Sequence, residues 1–242
     1  MRDYKKELEK RVEFIQDLLA KSGATGIVYG NSGGKDSALV GIICKKACSN
    51  TVGITMPCSK RNYGEDIKDG LEVAEKYGIK TFNVEIAPMK EIVEKNVSAI
   101  TKIGDLASAN IAPRLRMTTL YAYAGSNNML VAGTGNRTET YIGYFTKWGD
   151  GACDFNPISD LTVKEVYEFL EYLDCPKRII EKAPSAALYS GQTDEQEIGM
   201  KYSDIDGYIL TGNADKAVKD KVDAMHRKTE HKRQGVAFYK KI

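Results

Sequence analysis

The sequence predicts an α/β fold, an open and mostly parallel five-stranded sheet flanked by helices. Short apolar runs of strand length alternate with longer stretches whose apolar residues recur at helical spacing. The first such run, Gly26-Ile27-Val28-Tyr29, leads straight into Gly30-Asn31-Ser32-Gly33-Gly34-Lys35-Asp36-Ser37, which opens the next helical pattern. Strand, loop and helix repeated in that order imply parallel pairing with right-handed crossovers, because each helix must carry the chain back to the starting edge of the sheet.

Each element has its own signal. Leu8, Val12, Ile15 and Leu19 place an amphipathic helix over 3–21, closed by Gly23. A strand at 26–30 precedes the glycine-rich loop, and a helix of about 36–48 follows it. Residues 51–56 read as a strand, 64–77 as a helix, 80–84 as a strand and 89–102 as a helix. Pro113 suits the first turn of a helix running to about Gly125, where its missing N–H would have no partner in any case. Residues 129–133 form a short buried strand. The run Asp160-Leu161-Thr162-Val163-Lys164-Glu165 holds a capping box that starts a helix to about Leu173, and a last helix covers 214–228. The polar, turn-rich stretch 184–200 reads either as a lid or as a plain surface connection.

Composition narrows the function classes. The 242 residues suit one large domain, 1–242, with room for a substantial core. With 35 basic and 33 acidic residues, no overall field favours nucleic acid. No apolar run is long enough to span a membrane, and Met1-Arg2-Asp3-Tyr4-Lys5-Lys6-Glu7 resembles neither a signal nor a transit peptide, so a cytoplasmic protein is expected. Cys44, Cys48, Cys58, Cys153 and Cys175 form no C-x-x-C, which points to reduced thiols and no structural zinc. The 2 histidines exclude H-E-x-x-H sites and most Ser-His-Asp arrangements.

The loop at 30–37 carries the chemistry. Paired glycines let the main chain approach an anion and aim successive N–H groups at it. The following helix N-terminus adds partial positive charge, and Ser32 and Ser37 supply hydroxyls. A carboxylate at Asp36 would repel phosphate unless a divalent cation lay between, which argues for Mg²⁺. The loop is no Walker A motif: Lys35 is followed by Asp36, and Tyr29 stands where the first glycine belongs. The plainer reading is a Gly-Ser turn that caps a helix. Ligands in such sheets gather at the carboxyl ends of strands, which puts this loop, the turn at 56–58 and the loop after Gly133 around one mouth.

Other segments offer partners. In Gly133-Thr134-Gly135-Asn136-Arg137-Thr138-Glu139, Thr134 could bond a base or phosphate. Glu139 could share a metal with Asp36, or simply be an acid favoured in a helix's first turn. Residues 141–154 mix aromatic rings with Lys147, Asp150 and Asp154, suited to a ring-bearing anionic ligand or to an aromatic core edge. Arg114 and Arg116, two apart, share no helix face and reach one ligand only near a helix start. The basic stretch 216–241, with His231, Lys232 and Arg233, is a solvated face or a cationic tail closing over phosphates.

These segments, in this order, resemble the ammonia-dependent NAD synthetases, members of the N-type ATP pyrophosphatases with an adenine nucleotide alpha-hydrolase-like fold. The similarity extends through Arg114-Leu115-Arg116-Met117, residues 133–139 and 144–151, Gly191-Gln192-Thr193-Asp194-Glu195 and Thr229-Glu230-His231-Lys232-Arg233. The resemblance implies that Gly30, Asn31, Ser32, Gly33, Gly34, Lys35, Asp36 and Ser37 hold ATP, with Thr134 and Ser185 also touching it. It implies Asp36 and Glu139 as Mg²⁺ ligands. Arg114, Lys147, Asp154, His231 and Lys232 would contact nicotinic acid adenine dinucleotide (deamido-NAD). A homodimer is implied, with free ammonia as nitrogen donor, no fused glutaminase, no nucleic acid and no membrane.

The implied reaction adenylates the nicotinate carboxylate, and ammonia then displaces AMP. No general base is assigned; Asp150 or Asp154 could orient ammonium. The sequence departs from the family at Val163, where a lysine is usual and Lys164 follows instead, and at Ala187 after Pro184-Ser185-Ala186. A tRNA-modifying or GMP-synthetase-like pyrophosphatase is the nearest alternative enzyme, and a non-catalytic nucleotide binder on the same scaffold is a second class.

Overall fold

The computed structural model describes residues 2–58, 63–182 and 194–239. Helix α1 (Tyr4–Ser22) starts where the Asp3 side chain accepts from the Lys6 N–H and ends at Gly23. Strand β1 (Gly26–Gly30) follows, then α2 (Lys35–Ala47), β2 (Thr51–Thr55), α3 (Tyr63–Tyr77) and β3 (Lys80–Asn83). Three helices, α4 (Ala87–Ser98), α5 (Asp105–Ala109) and α6 (Ile111–Asn127), carry the chain across to β4 (Met129–Ala132). After β4 the chain becomes helical: α7 (Arg137–Ile142), α8 (Val163–Tyr172), α9 (Lys177–Glu181), α10 (Asp194–Ile198), α11 (Tyr202–Thr211), α12 (Lys216–Lys228) and α13 (Glu230–Arg233).

The strands lie in the order β3-β2-β1-β4 and every pairing is parallel. The sheet therefore has four strands among the described residues, not the expected five. Beyond β4 there is a single parallel bridge between Ala132 and Phe155. It is bracketed by hydrogen bonds from Gly133 N–H to Phe155 C=O (2.8 Å) and from Asp154 N–H to Val131 C=O (2.9 Å). Two residues on stands Pro157, which has no N–H to continue a ladder, so the fifth strand stops at its first bridge.

Alternation along β1 splits the core. Ile27 and Tyr29 face one side with α1, α2 and α8, packed against Ile15, Leu39, Ile43 and Phe169. Val28 faces the other with Val52, Ile54, Met117 and Leu120, the last two from α6. A third cluster around Ile142, Val163, Ile205 and Val222 joins α7, α8, α11 and α12. Tyr29, fully buried, explains the missing Walker A glycine. Its ring occupies core space opened by Gly41 and Gly53, where a Cβ would come within 2.4 Å and 3.2 Å of the phenol oxygen.

In this strand order the chain leaves β1 toward β2 on one side, while β4 lies on the other. The two loops that diverge there, after β1 and after β4, flank the crevice at the carboxyl edge where open α/β sheets bind ligands. Among the described residues, no helix is long and apolar enough to cross a membrane.

Candidate active site

The loop after β1 is held from both sides. Asn31, buried at the strand end, donates its main-chain N–H to Ile54 C=O (2.9 Å) and its amide to Gly70 C=O (3.0 Å). The same side chain accepts from Gly33 N–H (3.3 Å). Gly33 sits at φ 75°, and a Cβ there would fall 1.9 Å from the Asp66 carbonyl oxygen of α3. Only glycine meets both demands. Ser32 and Ser37 hydroxyls lie 3.0 Å apart, and Ser37 also donates to Gly34 C=O (2.9 Å). Gly34 caps α2 without a side-chain acceptor, which leaves the helix's first N–H groups directed at the crevice.

At the head of α2 the Lys35 ammonium, 7% exposed, lies 2.7 Å from the Asp36 carboxylate and between the rings of Tyr167 and Tyr202 at 5.9 Å and 5.8 Å. Asp36 also accepts from the Asn136 amide at 3.1 Å. This bond joins the loop after β1 to the loop after β4. Asn136 caps α7 and forms a capping box with Glu139, whose N–H it accepts at 3.0 Å while Glu139 accepts from the Asn136 N–H at 3.3 Å. Glu139 is thus the first-turn acid of the plainer reading and also a close neighbour of Asp36. Burial pushes its carboxyl up to about 8, with the Asp36 charge adding to the shift and Lys35 opposing it.

Around this pair the fold collects further groups. Buried Asp194 accepts from the hydroxyls of Tyr202 (3.2 Å) and Tyr144 (3.3 Å). Asp206 of α11, 3% exposed, accepts from the Thr138 hydroxyl and from Lys164 N–H (2.9 Å). Sequence reasoning missed Tyr167, Tyr202 and Asp206. Asn136 and Asp194 lie within the 133–139 and 191–195 motifs, and Asn136 carries an N-cap signal three residues before a glutamate.

The residues assigned to the second substrate fall into two groups. Arg114, in the first turn of α6, donates to Lys147 C=O at 3.3–3.4 Å, and the Lys147 ammonium reaches His231 C=O. Lys232 donates to the carbonyls of Gly143 (2.7 Å) and Phe145 (2.6 Å). These contacts gather Arg114, Lys147, His231 and Lys232 around the 143–147 segment. Asp154 lies elsewhere, along the β4 edge, accepting from Val131 N–H (2.7 Å) and the Tyr121 hydroxyl (3.1 Å). Asp150 accepts from Thr146 N–H (3.0 Å) inside its own turn, and burial raises its carboxyl. Arg116 diverges from Arg114 to donate to Met56 C=O at 3.2 Å.

Thr134 sits half-buried in the loop after β4, between Gly133 and the Asn136 cap. Val163 is buried against Thr138, whereas Lys164 points outward, 71% exposed and 3.8 Å from Glu168. Ser185, Ala187 and most of the 184–200 stretch lie outside the described residues; within that stretch α10 is helical. The five cysteines are free thiols.

A sequence model described as NAD synthase matches residues 7–236. The chain belongs to the NAD synthase family. It is 46% identical over 235 residues to the NH(3)-dependent NAD(+) synthetase of Carboxydothermus hydrogenoformans, covering 96% of each chain. It is 40% identical to the enzyme of that name from Archaeoglobus fulgidus, covering 96% and 95%. Among solved structures it superposes on an NMN synthetase from Francisella tularensis with a TM-score of 0.93 and 36% identity, covering 99% of both. The NH3-dependent NAD synthetase of Campylobacter jejuni gives 0.82 and 29%, covering 99% and 100%. The α/β fold and parallel sheet expected from sequence are those of the family.

Proposed function

We propose that this chain is an ammonia-dependent NAD synthetase that amidates the nicotinate carboxylate of deamido-NAD using ATP. One observation carries the reading: a carboxylate, Asp36, stands at the head of α2 inside a glycine cradle and beside Glu139, at the crevice between β1 and β4. A half-buried pair of acids beside a glycine-lined cradle fits Mg²⁺, which takes one or two carboxylates and completes its shell with phosphate oxygens and water. Asp36 and Glu139 would hold it. When bound, the ion offsets charge on the departing pyrophosphate.

The chain's own groups then have assigned work. Gly30 to Ser37 seat the triphosphate, with main-chain N–H groups at the α2 N-terminus and the Lys35 ammonium opposing its charge. Thr134 and Ser185 complete the ATP contacts. Arg114, Lys147, Asp154, His231 and Lys232 bind deamido-NAD and present its carboxylate. That carboxylate attacks the α-phosphorus and pyrophosphate departs. Ammonia attacks the resulting acyl-adenylate carbon, AMP leaves with the bonding pair, and a proton is lost from nitrogen. Positioning supplies much of the acceleration.

A homodimer suits the apolar side chains of Ile92, Ile100 and Leu106, which stand 60%, 84% and 77% exposed on α4 and α5 and between them. The reading places the enzyme in the cytoplasm, with residues 1–242 as one domain. The likeness to an NMN synthetase favours a second reading, in which a mononucleotide acid is amidated instead. One assay tests both, with ATP, Mg²⁺, ammonium and either the dinucleotide or the mononucleotide acid. Equimolar amide, AMP and pyrophosphate from the dinucleotide are expected, with turnover lost in Asp36→Asn. Preference for the mononucleotide would select the second reading, and ADP with orthophosphate would overturn both.

A further inference from the structure

Asp206 lies on α11, 68 residues along the chain from Thr138, yet its carboxylate is buried against that threonine's hydroxyl. One oxygen accepts the Thr138 O–H, and the other accepts Lys164 N–H at 2.9 Å. The same hydroxyl accepts Val163 N–H at 3.2 Å. A hydroxyl has one proton to give, so this arrangement fixes its direction: it donates to the acid and receives from the main chain. Both N–H groups belong to the first turn of α8, where they have no partner within the helix. One buried carboxylate therefore satisfies an orphan donor of α8 and, through the Thr138 hydroxyl that satisfies the other, grips the first turn of α7.

Taking a carboxylate out of water is unfavourable unless donors replace the solvent. An apolar contact between α11 and α7 would have avoided that cost, and the Ile142–Ile205–Val222 cluster already supplies one nearby. What the carboxylate adds is direction. Thr138 is flanked by Arg137 and Glu139, and its turn carries both Asn136, whose amide holds Asp36, and Glu139. Asp206, Thr138, Asn136 and Asp36 thus form a continuous path from α11 to the head of α2.

We propose that Asp206 is a positioning residue that acts through Thr138 to hold Glu139 and Asn136 at the distance from Asp36 that a divalent cation needs. This rests on the proposed metal-binding role of Asp36 and Glu139. Groups that orient metal ligands from behind typically change affinity by about 10–100-fold when removed.

The test measures Mn²⁺ uptake by the nucleotide-free protein, read by loss of the free-ion EPR signal and so independent of turnover. Asp206→Asn and Thr138→Val should each weaken Mn²⁺ binding about tenfold or more. Thr138→Ser, which keeps the hydroxyl, should restore it to within about threefold. The Asp206→Asn/Thr138→Val double variant should lose little more than either single one, because both break the same link. If Asp206→Asn does not fold cooperatively, the Thr138→Val and Thr138→Ser pair decides alone. Wild-type Mn²⁺ affinity in folded Thr138→Val overturns the clamp. Should Asp36→Asn also bind Mn²⁺ like wild type, the metal-site reading itself fails, and the clamp with it.

Discussion

Gly33 shows how much one residue decides. Its left-handed backbone and the Asp66 carbonyl at its α-carbon leave no room for a methyl group. Gly33→Ala must move either the loop or α3. We expect at least a tenfold fall in kcat/KM for ATP, equivalent to about 1.4 kcal/mol, with a cooperative melt retained. Steady-state kinetics at varied ATP checks this, and unchanged kinetics would show that the loop does not seat the nucleotide. At this scale the sequence was legible wherever chemistry was local. The glycines and Asp36 share one eight-residue loop, and Asn136 and Glu139 stand three residues apart. The rings of Tyr167 and Tyr202 beside Lys35 were not legible, because they arrive from α8 and α11 and obey only helical packing.

The elements followed their periodicity closely. α1, β1, β2, α6 and α12 fall within about two residues of their expected bounds, and the capping box at Thr162–Glu165 starts α8 as read. Thr162 is fully buried and accepts Glu165 N–H at 3.4 Å, while the Glu165 carboxylate accepts Thr162 N–H at 2.9 Å. Thr162→Ala should lower stability by about 1 kcal/mol, measured by urea denaturation. The fifth strand failed because pairing is a non-local property and Pro157 interrupts it. α4 was placed too long, running to 102 where the helix ends at Ser98; no proline or strong breaker marks that end in the sequence.

Across the whole molecule, charge ties the N-terminal helix to the helical half. Arg2 donates to Glu165 and Asp160 at 2.7 Å, and Arg11 reaches Asp160 at 3.0 Å. Burial alone would raise Asp160, but the charges of Arg11 and then Arg2 outweigh it, so its carboxyl lies below the usual 3.8. A depressed folded-state pKa means the stabilisation is present above that ordinary value and lost as pH falls through the folded one. Asp160→Asn should therefore melt lower than wild type at pH 7, and the gap should close as pH drops below about 4. Calorimetry across that range reads the effect, and a gap that widens in acid would contradict it.

The bond between Asn136 and Asp36 spans 100 positions of sequence. A ribosome therefore delivers the glycine cradle long before it delivers the strand and helix that complete it. While the chain is still growing, β1 to β3 can pair and display a half-built pocket, and only the arrival of β4 and α7 gives Asp36 its second acid. Catalytic competence is in this sense a late acquisition during translation, so nascent chains released before about residue 140 should retain no magnesium–nucleotide complex.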